Sequence, residues 1–169
     1  ALAALTAINL HSRAVASAGS RRLRWLAAAA FVTGSGIWAT HFVAMLAFQA
    51  HVGMDFELAP TALSIVIAVA ISGIGLAIAT YRPHLALGAG LVVGAGIGAM
   101  HFVGMLGMTT PARVDYEFAY VAAALVIGMA LAAAALHFAA SARSERRRAL
   151  ASLFLALGIV GLHFTAMAA

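Results

Sequence analysis

Five stretches of this sequence stay apolar for the roughly 20 residues that a bilayer crossing needs. They are Trp25–Phe48, Pro60–Tyr81, Leu85–Met108, Phe118–Ala140 and Ala149–Ala168. In hydrocarbon an isolated segment satisfies its backbone only as a helix, so the expected fold is all-α, a transmembrane helix bundle. Only 9 % of the residues are charged and 64 % are hydrophobic, whereas soluble domains carry about 25 % charged residues. A sixth apolar segment, "ALAALTAINL", opens the chain and is ten residues long. It is too short to cross and lacks the basic leading region of a signal peptide. It reads as the inner half of a truncated first helix, with about ten residues of a full span missing. On this reading the chain is a fragment with six helices.

A repeat organises these segments. The chain reads "GIWATHFVAM" from Gly36, "GIGAMHFVGM" from Gly96 and "GIVGLHFTAM" from Gly158. His41, His101 and His163 are each followed by Phe and, four positions on, by Met. A glycine stands five residues before each (Gly36, Gly96, Gly158), and a small residue three after (Ala44, Gly104, Ala166). Asp55-Phe56-Glu57 and Asp115-Tyr116-Glu117 both begin fourteen residues after their histidine. Composition bias produces matches of Gly and Ala, but not three His-Phe-x-x-Met groups in register. The repeats run approximately over residues 1–48, 55–108 and 115–168, each a helical hairpin, and together form one domain.

Charge gives the topology. Nine of the ten arginines fall in three connections: Arg13, Arg21, Arg22 and Arg24; Arg82; and Arg143, Arg146, Arg147 and Arg148. Four of the five acids, Asp55, Glu57, Asp115 and Glu117, fall in the other two. The positive-inside rule places the arginine-rich turns in the cytoplasm. Contact with anionic lipid headgroups accounts for them without nucleic acid. Two crossings per repeat return the chain to the same side, so the three repeats are parallel and related by an axis along the membrane normal. This pseudo-threefold symmetry puts the three histidines at one depth, near the outer ends of helices two, four and six. Small residues permit close approach in lipid. The stripe of Gly90, Gly94 and Gly98, with Gly34, Gly36, Gly158 and Gly161, places the even helices centrally and the odd ones toward lipid.

Residues four apart share a helix face, so His41 and Met45, His101 and Met105, and His163 and Met167 point in pairs. If those faces meet at the axis, three imidazoles and three thioethers converge. Thioether sulfur favours Cu(I) and imidazole suits Cu, Zn, Fe and Ni, so the set points first to copper. With no cysteine, thiolate ligands and disulfides are excluded. Packing alone explains any single His/Met pair, because Met is a common gap-filler; three in register favour a site. His51, close to Met54, is a candidate auxiliary ligand. His11, His84 and His137 read as boundary residues. Trp25, Tyr81, Tyr116 and Tyr120 read as interfacial anchors, and Trp38 as a ring beside the site.

These groups resemble the MHYT domain, a bacterial integral membrane sensor family named for a Met-His-Tyr-Thr motif at the outer ends of alternate helices. The resemblance covers the whole chain, including "TAINLHSR" at the end of the first helix. It implies a copper site of His41, His101 and His163 with Met45, Met105 and Met167. It also implies sensing of oxygen, carbon monoxide or nitric oxide, a place in the bacterial inner membrane, and cytoplasmic output domains that make or degrade cyclic di-GMP. The chain departs from the motif in detail. The leading Met survives only as Met100, with Thr40 and Leu162 elsewhere; the tyrosines are Phe42, Phe102 and Phe164; and only Thr165 keeps the threonine.

Three other readings are open: a haem held by two of the histidines, a metal-transporting His/Met ring, and a metal-free membrane anchor. Catalysis within this chain is not expected, since no nucleophile–base pair or acid dyad appears.

Overall fold

The apolar stretches fold as helices, and three of the helices begin before their stretch does. In the computed structural model, which describes residues 1–47, 53–111, 115–140 and 144–169, six α-helices follow one another: α1 (Leu2–Val15), α2 (Gly19–Ala47), α3 (Leu58–Tyr81), α4 (Ala86–Leu106), α5 (Phe118–Ala140) and α6 (Glu145–Met167). Five of them are long and apolar enough to cross a membrane. α2 begins six residues before the apolar stretch and α6 four, so Arg21, Arg22 and Arg24, and Arg146 to Arg148, are helical. The reason is that an α-helix does not end where hydrocarbon ends. Long arginine stems cover apolar surface while their heads reach the interface. Thus the guanidinium of Arg13 sits 5.1 Å over Trp25 and that of Arg22 5.5 Å over Tyr81, which fixes both aromatic rings at one end of the bundle.

The turns at the arginine-rich end are short. Gly19 opens α2 at φ +55°, a left-handed value that glycine adopts without steric cost. A 3-10 turn at Pro83–Leu85 joins α3 to α4. Ser144 caps α6 by accepting from Arg147 N at 3.4 Å. Arg143 and His51 lie outside the described residues.

Each helix packs on its neighbours in sequence, and α1 closes the ring on α6. α2, α4 and α6 also touch one another across the middle. As expected for the central set, α4 is 61 % buried along its span and α2 and α6 44 %, against 33 % for α3 and α5.

The glycine stripe of α4 does not look only at the axis. A Cβ at Gly90 would overlap the backbone of Ala133, one at Gly94 that of Met129, and one at Gly98 the side chain of Leu125, all on α5. Gly34 of α2 meets Val69 of α3 in the same way. The small residues therefore seat each even helix on an odd one. The stripe changes partner along its length, so that Gly90 to Gly98 meet α5 while His101, further along the same helix, reaches the other histidines.

At the end of the bundle away from the arginine-rich turns two short strands, β1 (Asp55–Phe56) and β2 (Met108–Thr109), pair antiparallel with Phe56 opposite Met108. Glu57 N donates to Gly107 O at 2.8 Å, and Glu117 N donates to Ala169 O at 2.9 Å. The repeat is thus visible in the loops: the segment leaving one repeat is tied to the end of the next even helix.

Candidate metal centre

Three imidazoles meet where α2, α4 and α6 converge. Their ring centroids are 4.8 Å (His41–His101), 5.2 Å (His41–His163) and 5.3 Å (His101–His163) apart, with planes at 75–82° to one another. The Nδ1 atom of His41 lies 3.1 Å from Nδ1 of His163 and 3.1 Å from Nδ1 of His101. One ring nitrogen from each residue falls within 4.8 Å of the others. The relative exposures are 1 %, 1 % and 4 %, so water does not compete for these atoms.

This arrangement is hard to satisfy with protons. A neutral imidazole nitrogen carries either one N–H or one lone pair. His41 Nδ1 faces two others and can bond only one of them well. A cation would solve the problem, with a lone pair from each imidazole turned toward it. Imidazole nitrogens about 2.0 Å from a shared ion stand about 3.3–3.5 Å apart, close to the spacing found. Ligation through Nδ1 leaves Nε2 as the N–H. The Nε2 atoms of His41 and His101 are buried and have no hydrogen-bond partner among the described residues.

Aromatic rings wall the cluster. Each motif phenylalanine stands edge-on to its own histidine: Phe42 at 4.7 Å, Phe102 at 5.0 Å and Phe164 at 5.1 Å. The loops at this end add a second ring over two of them, Phe56 at 5.3 Å from Phe42 and Tyr116 at 6.0 Å from Phe102. Phe164 is 62 % exposed. Partial burial raises the Tyr116 phenol above its ordinary value. Trp38 lies against Phe42 with ring centroids 4.8 Å apart and planes tilted at 44°, and its Nε1 donates to Thr61 O at 3.3 Å. Sequence spacing brought Trp38 near the site without showing that Phe42 intervenes.

The methionines differ in burial. Met45 and Met105 are buried and Met167 is half-buried. Met100, the one leading methionine, is also buried. His84 and His137 are exposed and lie away from the cluster. His11 is not: it is fully buried in α1, and neither ring nitrogen has a partner among the described residues. Its place just beyond the ten-residue apolar segment suggests a boundary residue instead. A helical burial pattern of Ala4, Ala7, Ile8, His11 and Ala14 was the available signal.

The comparisons with known proteins follow the same repeat. A family model described as a bacterial signalling protein N-terminal repeat, MHYT, matches residues 34–91 and 94–152. The two matches begin at equivalent points, Gly34 and Gly94, each seven residues before a histidine of the cluster. The chain is 41 % identical to the cyclic di-GMP phosphodiesterase NbdA of Pseudomonas aeruginosa, over 99 % of this chain and 22 % of that protein. It is 36 % identical to the bifunctional diguanylate cyclase/cyclic di-GMP phosphodiesterase MucR of the same organism, over 99 % of this chain and 26 % of that protein. It is 38 % identical to a signalling protein of Caulobacter vibrioides, over 97 % of this chain and 20 % of that one. The chain therefore spans about a quarter or less of these relatives. No solved structure matches it. With the repeat matched over most of its length and the same histidines gathered at one centre, the chain belongs to the MHYT family of bacterial signalling domains.

Proposed function

We propose that this chain is the membrane-embedded sensory domain of a larger signalling protein, and that it holds one copper ion through Nδ1 of His41, His101 and His163. The observation that carries the reading is the approach of two buried Nδ1 atoms, those of His101 and His163, to Nδ1 of His41, with one ring nitrogen of each residue within 4.8 Å of the others. That approach is unfavourable for protons and suited to a cation. Copper is favoured over zinc by the donors around it, since Met45, Met105 and Met167 lie one turn beyond the histidines and thioether sulfur selects Cu(I). A copper ion so held supplies a redox couple and a binding position for a diatomic gas. Facing nitrogens 3.1 Å apart speak against a haem between two of the histidines, because opposed axial ligands stand about 4 Å apart across the iron.

The membrane orientation follows the positive-inside rule, with the arginine turns cytoplasmic and the cluster toward the outer face of the bacterial inner membrane. The exposed acids Asp55, Glu57, Asp115 and Glu117 surround the outer end and draw cations to it. Relatives named for making or degrading cyclic di-GMP support an output of that type, in the parent chain or in trans. The domain acts as sensor and not as enzyme. Metal analysis of the anaerobically purified domain tests the reading: about one copper per chain in the wild type and almost none in His101→Ala. Equal copper in both proteins would overturn it.

A further inference from the structure

His41 is the hub of the cluster, since both 3.1 Å contacts converge on its Nδ1. What turns that nitrogen inward is not one of the ligands. Resting on the metal-site reading above, the geometry points to Gly104 as the positioning residue of the centre: the missing Cβ at Gly104 makes the space that the far edge of the His41 ring fills.

A Cβ built at Gly104 would lie 2.9 Å from His41 Nε2, 3.3 Å from its Cδ2 and 3.5 Å from Phe42 Cζ. Ordinary contacts of such atoms are about 3.5 Å or more, so the ring would have to move by about 0.5 Å. It has little room to do so. Phe42 stands edge-on to it at 4.7 Å, and the other two imidazoles close the inner side. Metal–ligand distances in a well-formed site fall within about 0.2 Å of their usual values, less than this shift. The glycine is also where the three repeats part company. The equivalent positions are Ala44 and Ala166, so only one corner of the pseudo-threefold cluster is opened, and the ring that fills it is the one contacting both others. Gly104 touches no ion on this account; it acts through the ring of His41.

Gly104→Ala is compared with Gly88→Ala, a change on the same helix where an added Cβ meets nothing within 4 Å. In titrations of the detergent-purified domain with Cu(I), Gly104→Ala is expected to weaken binding about 10–100-fold, the range seen when a ligand loses its support. Gly88→Ala leaves it unchanged. In the metal-free protein, ¹⁵N-histidine spectra show the His41 ring signals displaced by Gly104→Ala and not by Gly88→Ala. A double-mutant cycle in the metal-free state separates positioning from general damage: Gly104→Ala lowers the melting temperature of the wild type but not of His41→Ala, where the ring is gone. Equal destabilisation in both backgrounds, or unshifted His41 signals with unchanged copper affinity, overturns the inference. If the wild type takes up no metal, the metal reading falls, and the metal-free cycle and spectra still decide the role of Gly104.

Discussion

Nδ1 of His41 and Nδ1 of His163 lie 3.1 Å apart although 122 residues separate them in the chain. Two buried nitrogens of the same kind do not face each other at that distance without a shared proton or a shared cation. A third, on His101, stands equally close to the first. A single proton serves one pair and leaves the third nitrogen out.

Ligand binding should therefore stabilise the fold. With free copper at a hundredfold excess over its dissociation constant, the linkage contribution is about 2.7 kcal/mol. Melting of the detergent-solubilised domain should rise on Cu(I) addition and fall on chelation. The His41→Ala, His101→Ala and His163→Ala proteins should show no such response.

The methionines give a test of metal choice. Leu is nearly isosteric with Met and costs less than about 1.5 kcal/mol in a core, so packing survives the change. Met45→Leu and Met105→Leu should weaken Cu(I) binding while leaving Zn(II) binding close to wild type. Unchanged Cu(I) affinity in both would remove the thioethers from the site and leave the three imidazoles alone.

The glycine contacts predict a graded stability series on α4. At Gly94 an added Cβ runs into the backbone of Met129, which cannot yield as a side-chain tip can. Gly94→Ala should cost about 1–3 kcal/mol or more. Gly88→Ala, facing open space, should be neutral or stabilise by about 0.5–1 kcal/mol through helix propensity. Denaturant-induced unfolding in mixed micelles measures both.

Sidedness is testable without background labelling because the chain has no cysteine. Ser20→Cys, exposed in the first turn of α2 beside Arg21, should react with a membrane-impermeant thiol reagent only from the cytoplasmic face. Glu57→Cys, exposed beside β1, should react only from the outer face. The opposite pattern would invert the topology.

The spans, the hairpin repeat and the shared depth of His41, His101 and His163 were legible because each depends on chain-local quantities: apolar length, charge alternation and spacing. Their convergence was legible as a consequence of parallel repeats. Other features depend on what lies across the bundle. The stripe of Gly90, Gly94 and Gly98 announced close packing but not its partner, and α5 receives most of it. The ring edge that His41 presents depends on Gly104 of a different repeat. The burial of His11 depends on α1 being held between α2 and α6. The pairing of Asp55–Phe56 with Met108–Thr109 joins loops more than fifty residues apart, and two-residue strands leave no alternation to read.

The most direct measurement is X-ray absorption at the copper edge of the purified, copper-loaded domain. The account predicts one copper per chain with three imidazole nitrogens at about 2.0 Å, and loss of that shell in His101→Ala. A shell with one imidazole or none, or a spectrum unchanged by His101→Ala, would contradict it.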